Sequence, residues 1–188
     1  VTIKEVTAGK VFEVPSDGFY QVNPAVGEDL VKAVVKKFKA NPTKEVLDLY
    51  CGVGVFGLCM EPERLTGIES GRRAIDFARK NAIAQGRTDA KFYVGQVGHD
   101  FKRLKITEDT TVVVDPPRGG MEYYAARGLA RSAAKRIFYV SCDPATLMRD
   151  LKMLSNAYEV EDVKWFNMFP RTARFETLVV LKKRQARI

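Results

Sequence analysis

The sequence predicts an α/β fold with a doubly wound, mostly parallel sheet of seven strands and an antiparallel pair at the carboxyl end. Three observations lead there. From Glu45 onward, short apolar runs alternate with segments whose apolar residues recur at helical spacing. The run Thr110–Val114 is nearly continuous in β-branched residues, as a strand buried on both faces should be. The last two apolar runs, Tyr158–Trp165 and Phe175–Leu181, lie too close together for a crossover helix and so should pair antiparallel.

Residues 2–14 read as one or two short strands with a turn near Gly9 and Lys10. After a loop at Pro15–Gly18, Asn23 is placed to cap a helix whose first position is Pro24. Leu30, Val31, Val34, Val35 and Phe38 form its apolar stripe, and Asn41–Thr43 ends it. The alternation then runs strand Glu45–Leu49, helix Val55–Met60, strand Leu65–Ile68, helix Arg72–Gln85, strand Ala90–Val94 and strand Thr110–Val114. A helix near Tyr123–Ala134 and strand Ile137–Val140 follow. Asp143 and Pro144 then open a helix carrying Leu147, Leu151 and Leu154 on one face. Residues 1–18 read as strands left from a preceding region, and 19–188 as the main domain.

The 188 residues carry 46% hydrophobic and 29% charged side chains, enough apolar material for a core. No apolar run approaches the ~20 residues of a membrane-spanning helix, and no basic leader precedes an apolar segment. The formal charge of +8 favours a polyanionic partner, through counterion release. Three cysteines without metal-ligand spacing fit free thiols in a reducing cytoplasm. A chain starting at Val1 suggests a piece of something longer.

Ligands of such sheets bind outside the carboxyl ends of the strands, so the residues just after each strand matter most. The first strand enters Asp48-Leu49-Tyr50-Cys51-Gly52-Val53-Gly54, where glycines permit a tight turn and close approach of a ligand. The second strand ends at Glu69, about 20 residues on, a carboxylate placed to accept the hydroxyl protons of a ribose. The three-glycine pattern of dinucleotide sites is missing, so an adenosine-bearing ligand without a pyrophosphate fits better than NAD.

Three further segments carry chemistry. Asp115-Pro116-Pro117-Arg118 follows the fourth strand, and its prolines hold Asp115 with the carboxylate free to meet N–H groups of a planar ring. Ser141-Cys142-Asp143-Pro144 follows the fifth and sets a thiol before a helix amino terminus, where partial positive charge favours the thiolate. A lone cysteine there is more often a small buried residue; its neighbours raise the case for a nucleophile. Glu176, at the start of the last strand, can return to the same edge as a base.

Together these segments resemble the RNA (uracil-5-)-methyltransferase family. The resemblance runs from Phe19 to about Leu181 and rests on five motifs. These are Phe19-Tyr20-Gln21-Val22-Asn23-Pro24, Asp48–Gly54, Asp115–Arg118, Ser141-Cys142-Asp143-Pro144-Ala145-Thr146-Leu147 and the stretch ending in Glu176. It implies a Rossmann-like class I methyltransferase fold, S-adenosyl-L-methionine as cofactor, tRNA or rRNA as partner, a cytoplasmic location and no metal. Cys142 then matches the nucleophile and Glu176 the base. Asp115, Gln21, Phe19 and Arg118 match substrate contacts. Gln21, Asp48, Tyr50, Gly52, Gly54, Glu69, Gln96 and Asp115 match the cofactor site. The family commonly carries RNA-binding segments ahead of this domain, some holding an iron–sulfur cluster.

Three positions depart from the family pattern. Asp143 stands where Asn is usual, still a helix cap but with a negative charge that raises the thiol pKa. Arg174 replaces a His two residues before the base, a cation suited to phosphate or to Glu176. Gly95-Gln96 stands where an acidic residue is expected after the third strand, with Gln96 able to meet the adenine amino group. Other readings stay open at this point. An amino methyltransferase would share the Asp-Pro-Pro loop but would follow it with an aromatic residue rather than Arg118. A cytosine-5 enzyme would share the thiol chemistry, although the Asp115 carboxylate suits the N3–H of uracil. A binding module would hold RNA and cofactor without turnover.

Overall fold

The computed structural model describes residues 2–17, 24–167 and 175–186. A hairpin of β1 (Thr2–Thr7) and β2 (Lys10–Pro15) precedes α1 (Pro24–Ala40). The turn of that hairpin is Ala8-Gly9, both at positive φ. Asn23, expected to cap α1, lies outside the described residues, as do Phe19 and Gln21. There follow β3 (Glu45–Leu49), α2 (Val55–Met60), β4 (Arg64–Glu69), α3 (Arg72–Ala84), β5 (Lys91–Val94), α4 (Val97–Asp100) and a single 3₁₀ turn, Phe101–Arg103. The chain continues through β6 (Thr110–Val114), α5 (Tyr123–Arg131), β7 (Arg136–Ser141), α6 (Pro144–Leu154), β8 (Tyr158–Asn167) and β9 (Phe175–Lys183).

The seven-stranded sheet has the order β5-β4-β3-β6-β7-β9-β8. Strands β3 to β7 run parallel, and β9 is antiparallel to both β7 and β8. The chain winds outward from β3 to β5, then returns to β6 on the other side of β3. The switch point therefore lies between β3 and β6, where a crevice opens at the carboxyl ends of the strands.

Side chains alternate across this sheet into two cores. Val46, Val113, Phe138, Val140 and Val180 face one side, with α1, α2, α3 and the hairpin residues Phe12 and Val14. Leu47, Leu49, Val112, Val114, Tyr139 and Val179 face the other, with α5 and α6. All of β6 is buried, as its composition requires. Each fully buried Leu, Ile or Phe contributes about 1.5–3 kcal/mol of transfer free energy.

The differences from the sequence reading have local causes. Helix α5 ends at Arg131, not Ala134: the Ser132 hydroxyl donates to the Leu129 carbonyl and closes the last turn. β8 and β9 each extend two residues further, with the pairs Phe166↔Glu176 and Asn167↔Phe175 at one end and Tyr158↔Lys183 at the other. A bulge between Val160 and Asp162 lets β8 follow the sheet. The short α4 carries no apolar period long enough to read.

Candidate active site

The glycine turn is built by backbone geometry. Tyr50, Gly52 and Gly54 all have positive φ, at 60°, 54° and 88°. A Cβ on Gly54 would press on the Phe92 ring at 3.1 Å, whereas one on Gly52 would meet nothing within 4 Å and would project into open space over the turn. Asp48 lies fully buried beneath it and accepts the Gly57 N–H at 3.0 Å, which anchors the start of α2 to β3. Its other oxygen has no partner among the described residues. Burial first, with Glu69 adding, lifts its carboxyl to about 7.

Glu69 is held by backbone donors, Gly52 N–H on Oε2 at 3.3 Å and Gly71 N–H on Oε1 at 2.9 Å. The fixed carboxylate keeps lone pairs for two hydroxyl protons. A ligand with vicinal hydroxyls laid over Gly52 suits this cradle. Gln96 is exposed just after β5, and its N–H is taken by Asp100 at 3.0 Å. Asp100 thus brings a carboxylate back to the place where the sequence seemed to lack one. It escaped notice because it lies four residues on, across a helical turn.

Asp115 follows β6 beside the glycine turn, its N–H donating to the Leu49 carbonyl at 3.3 Å. Cys142 follows β7 and is exposed, whereas Cys51 and Cys59 are buried. In the sheet register Ser141 stands opposite Thr177, so the next step brings Cys142 level with Glu176. The three groups feel one another. Desolvation raises the Asp115 carboxyl well above its ordinary value, and Glu176, Asp48 and Glu69 add to it. Desolvation likewise raises Glu176. Sulfur, two carboxyls and the glycine turn therefore share one rim of the sheet.

Two expectations change. The helix end was expected to favour the Cys142 thiolate, but the thiol is raised, by desolvation first and then by Glu176 and Asp115, with Arg118 opposing. At α6 the Asp143 carboxylate accepts both the Ala145 and Thr146 N–H groups at 3.0 Å, so the helix terminus is occupied by its own cap. Asp115 was expected as a carboxylate, yet its surroundings favour the neutral acid. Arg118 is exposed, and Arg174 lies outside the described residues.

Sequence reasoning missed the residues that clamp the loop after β6 to helix α6. Thr146 donates its hydroxyl to the Arg118 carbonyl at 3.0 Å. Arg149 donates to the Gly119 carbonyl at 2.8 Å, and the buried Asp150 accepts both the Met121 N–H at 2.8 Å and the Tyr139 hydroxyl at 2.5 Å. A buried aspartate in the middle of a helix was the only available signal. Glu122 was also missed; it accepts the Tyr50 hydroxyl and ties the start of α5 to the glycine turn.

The model of the tRNA (uracil-5-)-methyltransferase family matches residues 4–184. The chain belongs to this family. Among the family's relatives, an uncharacterized RNA methyltransferase of Clostridium acetobutylicum is 38% identical over 97% of this chain and 41% of its own length. One of Thermotoga maritima is 37% identical over 92% and 40%. The chain thus spans about two fifths of these relatives. The crystal structure of Pyrococcus abyssi tRNA (uracil-54, C5)-methyltransferase in complex with S-adenosyl-L-homocysteine superposes with a TM-score of 0.83 at 31% identity, covering 96% of this chain and 44% of that one. A methyltransferase of Streptococcus mutans, at 13% identity and TM-score 0.74, shares the fold.

Proposed function

We propose that this chain is the catalytic domain of an enzyme that methylates carbon 5 of a uridine in tRNA or rRNA, with S-adenosyl-L-methionine as methyl donor and Cys142 as nucleophile. The observation that carries this reading is the convergence of one exposed thiol and two carboxyls at the rim that also bears the glycine turn.

Glu69 and the open turn over Gly52 suit the ribose of the cofactor, with Asp48 and Gly54 shaping the turn below it and Tyr50, Gln96 and Asp100 along its edge. Bound there, the cofactor supplies an electrophilic methyl group. The protein must make carbon 5 nucleophilic. The Cys142 thiolate adds to carbon 6, and the ring's double-bond electrons move toward the oxygen on carbon 4 as an enolate. Burial favours the neutral form of Asp115, in which it would donate its O–H to that oxygen and accept from N3–H, a donor where charge develops. After transfer, Glu176 takes the proton from carbon 5. The C5–C6 double bond re-forms and expels Cys142 as thiolate. Desolvation raises the Glu176 carboxyl above its ordinary value, which makes its carboxylate a stronger base for that proton.

A neutral Asp115 complements the N3 and N4–H edge of cytosine equally well, so the preference for uracil rests on the family and not on this residue. Gln21 and Phe19, carried over from the family pattern, would complete the base pocket, and residues 19–188 would form the domain. Nucleoside analysis of methylated RNA tests the reading. The parent chain should yield 5-methyluridine, and Cys142→Ala should yield none while binding cofactor with unchanged affinity by titration calorimetry. Full turnover by Cys142→Ala would sink the mechanism, and methyl on an exocyclic nitrogen would sink the reaction.

A further inference from the structure

The solvent face of α5 carries a group of side chains that neither the fold nor the chemistry above uses. Ala125, Ala126 and Leu129 bury the opposite face against the sheet. Tyr123 and Tyr124, in the first turn, are 58% and 72% exposed. Their rings meet edge to face, with centroids 5.5 Å apart at 75°. The Arg127 guanidinium lies 5.9 Å from the Tyr123 ring centroid. Arg131 follows one turn later and is exposed. Arg118, Arg127 and Arg131 make no ion pair among the described residues, which leaves their charge open to solvent.

Placement gives the group its meaning. Helix α5 begins directly after the loop of Asp115 and Arg118, and the Tyr50–Glu122 hydrogen bond fixes that start beside the glycine turn. Arg149 and Asp150 hold the same loop through the Gly119 carbonyl and the Met121 N–H. The aromatic rings therefore stand on a rigid support at the rim of the site, with unpaired cations running outward along the helix. Exposed rings interleaved with arginines are the chemistry that stacks unpaired bases and tracks a phosphate backbone.

We infer that Tyr123 and Tyr124 form a stacking platform for unpaired RNA bases next to the target uridine, with Arg118, Arg127 and Arg131 holding the adjoining phosphates. The rings are sequence-tolerant contacts, since every base has a π face. They position RNA and take no part in bond making, so their loss acts on KM and leaves kcat in place. This inference rests on the RNA methylation proposed above, and the test separates the two.

The experiment measures binding of a fluorescein-labelled single-stranded oligouridine by anisotropy, alongside 5-methyluridine formation on tRNA. The variants are Tyr123→Ser/Tyr124→Ser, the aromatic control Tyr123→Phe/Tyr124→Phe, Arg127→Gln, and Ile83→Ser, which removes a 71% exposed apolar side chain from α3. The double Ser variant should weaken oligouridine binding and raise KM for RNA by about tenfold or more, with kcat and cofactor affinity unchanged. The double Phe variant and Ile83→Ser should match the parent. Arg127→Gln should reduce the salt dependence of binding by about one counterion. Parental affinity and KM in the double Ser variant would overturn the platform, as would a failure of the Phe variant to match the parent. A parent that binds RNA through these tyrosines yet forms no 5-methyluridine would overturn the reaction and leave the platform standing. A parent that binds no oligouridine would overturn the platform.

Discussion

Cys142 is the proposed nucleophile, and its surroundings work against the thiolate. The thiol lies above the ordinary 9.0 because desolvation disfavours the thiolate, with Glu176 and then any ionised fraction of Asp115 adding and Arg118 opposing. The Asp143 carboxylate occupies the helix donors that might have helped. The reactive form is the thiolate, so reaction with iodoacetamide should rise with pH through a midpoint above 9.0. Glu176→Gln removes a neighbouring negative charge and should lower that midpoint. Removing the Arg118 guanidinium, as in Arg118→Met, should raise it. Peptide mass spectrometry reads the alkylated cysteine directly, with buried Cys51 and Cys59 as internal controls. A midpoint below 9.0 in the parent would contradict this electrostatic reading. The cysteine was legible in the sequence, but the sign of its shift was not, because the sign is set by burial and by Glu176 and Asp115, which only the folded sheet brings beside it.

At the scale of elements, the unit formed by β3, the glycine turn and α2 carries a cost. Asp48 is fully buried, has one partner on one oxygen, and titrates near 7 in the fold against 3.8 when exposed. Between those values the unfolded chain has lost the proton that the folded chain keeps. Stability from this group is therefore present below about pH 4 and declines as pH rises toward 7. Asp48→Asn keeps the acceptor for the Gly57 N–H and cannot ionise. Its stability relative to the parent should climb with pH across that window, by on the order of 4 kcal/mol, and level off above it. Urea denaturation at several pH values checks the slope. A difference independent of pH would show that Asp48 is ionised in the fold. The element pattern itself was readable, since β3, α2 and β6 stand at the expected residues. The strand ends and α4 were not, because pairing with neighbours and a bulge decide them.

For the molecule as a whole, sheet order does what no single motif could. Segments far apart in the chain, ending at Leu49, Glu69, Val114 and Ser141, finish along one rim because the strands between them are parallel and in register. Glu176 joins them because β9 runs the other way beside β7. The motifs and their order pointed to Asp115, Cys142 and Glu176 along this rim, whereas Phe19 and Gln21 lie outside the described residues. The network of Thr146, Arg149, Asp150 and Tyr139 stayed hidden, since its members gain meaning only once α6 lies against the loop after β6. The platform proposed for the aromatic face of α5, with Arg127 beside Tyr123, would extend this rim outward. The most direct measurement uses Glu176→Gln with S-adenosyl-L-methionine and uridine-containing RNA, followed by denaturing electrophoresis and mass spectrometry of the shifted band. With the base removed, methyl transfer proceeds but elimination stalls, so RNA bearing a 5-methyl ring should remain bonded through carbon 6 to the Cys142 peptide. A band that persists when Cys142→Ala is added, or free 5-methyluridine at the parental rate with no shifted band, would contradict it.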